Sequence, residues 1–228
     1  MKVICHMISS VDGKIKVSDW GEALYNKSFS GLYEECHNSY RAEAWLCGRV
    51  TMSEFANAET PVHEPVTEKV ERIAFIADPG ADSFAIAADS HGKLGWKSNE
   101  IGGDHIIQLL SESVSDGYLL YLQKRKISYL FAGKEKLDLG LALKKLKEHF
   151  PIDTLMVEGG GTTNGTMLQA GLIDELSLLI APVADGTAGG NTIFDVPGLF
   201  SAAPGHHLKL LSCEKLGEDV IWLKYACK

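Results

Sequence analysis

The sequence has no surplus of positive charge: 22 Lys and Arg stand against 30 Asp and Glu, a formal net charge of -8. Nucleic acid and anionic membrane surfaces need a basic field that this balance lacks, so both are excluded as partners, and any phosphate-bearing ligand has to be held by local donors. Cysteine is sparse as well. Cys5, Cys36, Cys47, Cys213 and Cys227 are odd in number and contain no C-x-x-C pair, which points away from a disulfide framework and a zinc site and toward a reducing compartment. Long apolar runs are missing. The one near the N-terminus, residues 3–8, is short, is interrupted by His6 and leads to Asp12 rather than to a cleavage site. Neither a signal peptide nor a membrane span is expected, and the cytoplasm is the default location.

Several catalytic fingerprints are also absent. A dinucleotide G-x-G-x-x-G would need glycine at position 164, which is Asn164, the glycine falling one residue late at Gly165. There is no G-x-x-x-x-G-K-[ST], no zinc-deaminase H-x-E with P-C-x-x-C, and no G-x-S-x-G elbow. The eight histidines show no H-E-x-x-H or similar ligand spacing, so no metal is expected and most of them read as surface or structural residues. His6 stands apart because it lies on a strand-like run four residues before Ser10; a half-buried strand histidine and a catalytic one both fit.

What is present is an alternation of strand-like and helix-like segments. At 228 residues and 45% hydrophobic content the chain can bury a substantial core, and no long linker divides it, so a single domain over residues 1–228 is expected. Strand-like runs fall at 3–8, 44–47, 73–77, 105–110, 127–132, 152–157, 175–181, 207–213 and 220–225. Leu139, Leu143, Leu146 and Phe150 form the stripe of a helix packed on a sheet, ended by Pro151, and a second helix covers roughly 162–170 with Gly171 as its stop. Alternation of this kind predicts a mostly parallel sheet covered on both faces, and the last two strands, joined through 214–219, predict an antiparallel hairpin at its edge. The stretches 58–68 and 185–198 read as loops.

Ligands of open α/β sheets bind beyond the carboxyl ends of the parallel strands, and small, hydroxylic and charged residues gather there in this sequence. Ser9-Ser10-Val11-Asp12-Gly13-Lys14 follows the first run, Gly48-Arg49-Val50-Thr51 the second, Asp78-Pro79-Gly80 the third, Glu158-Gly159-Gly160-Gly161 the sixth, and 182–190 the seventh. Each alone has a plain explanation: Asp12-Gly13 as a turn, Arg49 as a solvated residue at a helix entry, the glycine triplet as a close strand-to-helix crossing. Their joint placement favours a binding cleft. Within the triplet, followed by Thr162 and Thr163, bare backbone at a helix start suits an anion.

Taken in order, Ser10-Val11-Asp12-Gly13-Lys14-Ile15, Gly48-Arg49-Val50-Thr51-Met52, Glu158-Gly159-Gly160-Gly161, Gly171-Leu172-Ile173-Asp174-Glu175-Leu176 and Ala181-Pro182 with Gly186 resemble the reductase domain of riboflavin biosynthesis, in the dihydrofolate reductase-like family. The resemblance runs over residues 3–225. It implies an α/β fold, a three-layer α/β/α domain with a mixed, mostly parallel sheet and a C-terminal antiparallel hairpin, homodimeric and binding NADPH across the strand ends. By matching position it implies cofactor contacts from Gly48, Arg49, Thr51, Gly159, Gly160 and Gly161, with Ser10 and Thr162 beside them. Asp12, Glu158 and His6 are the implied catalytic positions, Glu158 holding ribose hydroxyls or acting in acid/base work.

The implied reaction turns a ribosylaminopyrimidine 5′-phosphate into its ribitylamino form, by ring opening and hydride delivery to C1′. Two alternatives share the fold: reduction of a pterin or another small heterocycle, and non-catalytic dinucleotide binding. The chain departs from the family in three places. His6 stands where many members carry lysine, making the charge there pH-dependent; 20–39 lacks the arginine-bearing stretch of the bifunctional enzymes; and no deaminase half is present, so a partner enzyme or a different substrate is expected. Toward a 2′-phosphate, Asp78 is repulsive while Arg49 or Lys93 is attractive, and charge alone does not choose NADPH over NADH.

Overall fold

The computed structural model describes residues 1–21, 27–56, 60–61, 63–66, 69–196 and 205–227. Contacts group the chain into two compact units, Glu43–Leu155 and Lys2–Ala42 with Met156–Lys228. The loops expected at 58–68 and 185–198 lie partly outside the described residues, and their described parts hold no helix or strand beyond a single bridge from Thr192 to Lys14. Among the described residues no helix is long and apolar enough to cross a membrane.

In the unit Glu43–Leu155, strand β2 (Ala44–Gly48) leads into helix α2 (Arg49–Phe55), and β3 (Phe84–Ala88), β4 (Glu100–Ile101), β5 (Asp104–Leu110) and β6 (Ser128–Phe131) follow, with helices α3 (Asp116–Lys124) and α4 (Leu139–His149). Parallel pairing joins β2 to β3, β3 to β5 and β5 to β6, while the short β4 turns antiparallel onto the start of β5. These strands are buried on both faces, which is why they read as continuous apolar runs without alternation. The core sets Met52, Ile106 and Leu110 against Tyr118, Leu119 and Leu122 of α3. Helix α3 starts at Ser115, whose hydroxyl accepts from the Tyr118 amide, and α4 starts at Asp138, which accepts from the Leu141 amide at 2.9 Å. The α4 stripe falls where its spacing predicts, Leu146 and Phe150 being buried, and Pro151 follows its end.

The run 73–77 is not a strand. It makes one isolated bridge, Phe75 to Tyr129, and Ile73 stays 64% exposed. The strand of this region is β3, absent from the expected set because its sequence, FAIAA, is mostly alanine, a residue with little preference for strands. Asp78-Pro79-Gly80 therefore does not end a strand; Asp89 and Ser90 do.

In the other unit, β1 (Lys2–Ser9) pairs parallel with β8 (Glu175–Ile180), β8 pairs antiparallel with β10 (Ile221–Ala226), and β10 pairs antiparallel with β9 (Lys209–Lys215). Helices α1 (Lys27–Ser39) and α5 (Gly161–Gln169) belong to this unit, and β7 (Thr154–Val157) runs along the chain into it from Leu155. Gly171 ends α5 at φ +64°, the left-handed turn its position in the sequence calls for. A core of Trp20, Phe29, Leu179, Val183, Val220 and Trp222 closes the unit. The fold is mixed α/β with largely parallel pairing and antiparallel C-terminal strands, as expected.

Candidate functional site

The turn after β1 is built around Ser10 and Asp12. The Ser10 hydroxyl accepts the Lys14 amide at 2.9 Å and donates to Asp12 Oδ1 at 2.7 Å, while Gly13, at φ +82°, lets the chain double back. Asp12 then reaches the loop after β8: Oδ1 accepts the Asp185 amide at 3.0 Å and Oδ2 the Gly186 amide at 2.9 Å. These bonds, the Ser10 hydroxyl foremost, hold the Asp12 carboxyl well below the usual carboxylate range. A group so firmly ionised is a clamp and a negative charge at neutral pH, not a proton donor.

Glu158 stands directly after β7, and its Oε1 lies 2.7 Å from Nδ1 of His37 near the end of α1. The two side chains are only 13% and 19% exposed, so the pair is largely desolvated. Sequence reasoning placed His37 among surface or structural histidines; with 121 residues separating it from Glu158, no local pattern marked the pair.

His6 lies next to this pair, fully buried on β1, its ring 4.2 Å from that of Tyr33 and 6.3 Å from that of His37. Its proton can be located by elimination. Nε2 faces the Tyr33 carbonyl at 3.1 Å, which only accepts, so Nε2 carries the hydrogen. Nδ1 then accepts from Ser177 Oγ at 2.9 Å, and that hydroxyl in turn accepts from the indole Nε1 of Trp222 at 2.8 Å. A neutral imidazole satisfies each of these polar atoms, and burial, the largest influence on His6, lowers its pKa and favours that form. The ring thus backs the Glu158 neighbourhood rather than presenting itself to solvent. Cys5, beside it on β1, is also fully buried and its thiol is pushed up by desolvation, which leaves it inert.

The glycine triplet has two uses. A Cβ on Gly161 would stand 2.3 Å from the Thr192 carbonyl oxygen and 2.5 Å from Asp195 Oδ2, and one on Gly165 2.5 Å from the Asp195 carbonyl oxygen. Both glycines make room for the chain's own 192–195 segment, which Asn164 also holds by donating to the Ile193 carbonyl at 3.0 Å. Gly159, at φ +142°, and Gly160, which caps α5 without a side-chain bond, are the residues left at the strand-to-helix crossing. Thr162 is exposed on the first turn of α5.

In the unit Glu43–Leu155, Gly48 caps α2 and Arg49 opens it, exposed, with Thr51 in the same turn. The Arg49 charge bears on Asp89, at the end of β3, whose Oδ2 accepts the Lys93 and Leu94 amides at 2.6 and 2.8 Å. Asp89 is 1% exposed, its Oδ1 has no hydrogen-bond partner among the described residues, and burial raises its pKa. It was missed because the strand that delivers it was missed.

Against known protein families, residues 1–222 match the model of the RibD C-terminal domain. The chain belongs to the RibD C-terminal domain family. Among curated proteins it is 37% identical over 119 residues to the 2,5-diamino-6-ribosylamino-4(3H)-pyrimidinone 5′-phosphate reductase of Methanothermobacter thermautotrophicus, covering 52% of this chain and 54% of that protein. To the riboflavin biosynthesis protein RibD of Escherichia coli it is 36% identical over 87 residues, 38% of this chain and 23% of that one. The chain thus matches about half or less of the length of these relatives. Among solved structures, a pyrimidine reductase-like protein from Corynebacterium diphtheriae superposes with a TM-score of 0.70 at 15% identity, over 100% of this chain and 92% of that one. Acinetobacter baumannii RibD superposes at 0.68 and 19% identity, over 100% of this chain and 58% of that one, and these likenesses show a shared fold.

As a RibD C-terminal domain, the chain brings Ser10 together with Asp12, and Glu158 together with His37 and His6. Gly48, Arg49 and Thr51 belong to one compact unit and Ser10, Asp12, Glu158 and the glycines to the other.

Proposed function

We propose that this chain is an NADPH-dependent reductase that converts a ribosylaminopyrimidine 5′-phosphate into its ribitylamino form, acting in the cytoplasm as a homodimer. The observation that carries the reading is the carboxylate of Glu158, set at the end of β7 beside His37 and immediately ahead of Gly159 and Gly160 at the entry to α5. Membership of the RibD C-terminal domain family and likeness to a pyrimidinone phosphate reductase give it its reaction class.

The residues present suit a pyridine dinucleotide. The Gly161 and Thr162 amides open α5 ahead of the Thr163 amide, which bonds the Gly160 carbonyl at 2.9 Å, Gly159 and Gly160 add no side chain there, and a pyrophosphate is the kind of anion a helix start favours. Gly48, Arg49 and Thr51 supply backbone, a guanidinium and a hydroxyl of the sort a phosphate takes. The cofactor, when bound, supplies the hydride. Ser10 and Asp12 fix the loop after β8, Glu158 holds the sugar hydroxyls, and His6 supports His37 from behind. Exposed leucines at 210 and 211 on β9, an edge strand among the described residues, are the surface we assign to the second copy.

The test is calorimetric titration with NADPH and NADH, then NADPH oxidation with the ribosylaminopyrimidine phosphate, its dephosphorylated form and a dihydropterin. The reading expects NADPH binding and turnover confined to the phosphate ester. Turnover of the pterin alone, or binding without any turnover, would replace it.

A further inference from the structure

We propose that His37 and Glu158 share one proton, and that this proton is the one taken by the ring oxygen when the substrate's sugar opens. The step rests on the reductase reading above and names its missing proton source. Glu158 is the group that meets the sugar; His37 is a positioning residue that acts through it.

Three observations converge on the pair. The 2.7 Å separation of His37 Nδ1 and Glu158 Oε1 is that of a charge-assisted hydrogen bond. Both side chains are mostly out of water, where such a bond is strengthened and a lone carboxylate would be costly. The groups around the pair are in fixed states. His6, from β1, is kept neutral by burial, with Ser177 and the Tyr33 carbonyl on its ring nitrogens; the Cys5 thiol, from the same strand, is held protonated; Tyr33, from α1, donates its phenol to the His6 carbonyl at 3.0 Å. Within that cluster the imidazole and the carboxylate are one hydrogen bond apart, close enough to trade a proton.

The step balances. The C1′–O4′ bond breaks, its electron pair goes to O4′, and O4′ takes the proton from the pair through Glu158. The exocyclic nitrogen pushes its lone pair into a C1′–N double bond, leaving an iminium. A reduced nicotinamide, when bound, would supply the hydride that reduces C1′ and returns the π electrons to nitrogen, itself becoming oxidised, and solvent would reprotonate His37. A carboxylate alone is mostly deprotonated at neutral pH and is a poor donor; an imidazolium behind it makes the same position a proton source.

The decisive comparison is the pH profile of kcat for the unaltered chain and for His37→Asn, which keeps an N–H near the Nδ1 position but cannot titrate. Loss of the shared proton should give the unaltered chain a kcat that falls on the alkaline side. In His37→Asn that limb should vanish and kcat should drop about a hundredfold, the scale of a lost general acid. KM and NADPH affinity should be unchanged. A variant that matches the unaltered chain in both kcat and alkaline limb overturns the proposal while leaving the reductase reading intact. No oxidation of NADPH by the unaltered chain overturns that reading, and the proton step with it. A second arm needs no turnover and serves if His37→Asn fails to fold: the imidazole of His37, followed by 15N NMR, should titrate at lower pH in Glu158→Gln than in the unaltered chain. An identical titration in the two proteins also overturns the proposal.

Discussion

Asp12 and Gly186 lie 174 residues apart in the chain and are joined by a 2.9 Å hydrogen bond from the glycine amide to Oδ2. With the Asp185 amide and the Ser10 hydroxyl on Oδ1, that bond ties the turn after β1 to the loop after β8. Because the folded carboxyl is held below its unfolded value, its contribution is complete above the unfolded pKa of about 3.9 and is lost as pH falls toward the folded one. Asp12→Asn should therefore melt at a lower temperature than the unaltered chain at pH 7, with the gap closing below about pH 4. A gap that is the same at pH 7 and pH 3 would show that the charge is not what holds the loop.

His6 gives a test of the same sign on a buried group, at higher pH. Its folded pKa lies below the unfolded value of about 6.5, so the native state resists a proton that the unfolded chain accepts. Stability is complete above about pH 6.5 and declines as pH falls through the interval between the two values. His6→Gln should flatten that acid-side decline in thermal melts, leaving the share of His105, also kept neutral by burial. An undiminished slope would mean that His6 is protonated in the native state.

The glycines show where the sequence could be read and where it could not. A helix start behind a glycine-rich crossing was legible, since no other residue type tolerates Gly159 at φ +142° so readily. That Gly161 and Gly165 make way for 192–195 was not, because nothing local to 161 or 165 mentions a segment some thirty residues further on. The same limit explains the strands. IAFIA at 73–77 and FAIAA at 84–88 are near twins in composition, and only the second finds β2 and β5 on its two sides. His37, Ser177 and Trp222 acquire their roles through partners 45 to 171 residues away, distances at which spacing carries no signal.

Gly161→Ala should destabilise the chain by about 1–3 kcal/mol in denaturant unfolding, because the colliding groups include a backbone carbonyl that cannot swing aside. Gly171→Ala, where nothing lies within 4 Å of the added carbon, should cost only the strain of its positive φ, about 1 kcal/mol. Equal losses in the two variants would remove packing of 192–195 as the reason for Gly161.

Ser177→Ala should cost about 1–3 kcal/mol, since it strips a hydrogen-bond partner from both the Trp222 indole and the His6 ring in a dry interior. Urea unfolding followed by tryptophan fluorescence reads the loss directly. A neutral outcome would mean that water enters and replaces the hydroxyl.

Asp89 presents a competition between burial and attraction. Burial, the larger influence, raises its pKa; the Lys93 and Leu94 amides and the Arg49 charge pull the other way. A carboxyl whose folded pKa exceeds its unfolded one loses stability as pH rises from about 3.9 through the folded value, since the native state must then surrender a proton it prefers to keep. Asp89→Asn keeps an oxygen for the two amides and removes the buried charge, so it should melt higher than the unaltered chain at pH 8 and alike at pH 3. If the variant instead melts lower at pH 8, attraction to Arg49 outweighs desolvation, and the end of β3 is held together by its charge rather than in spite of it.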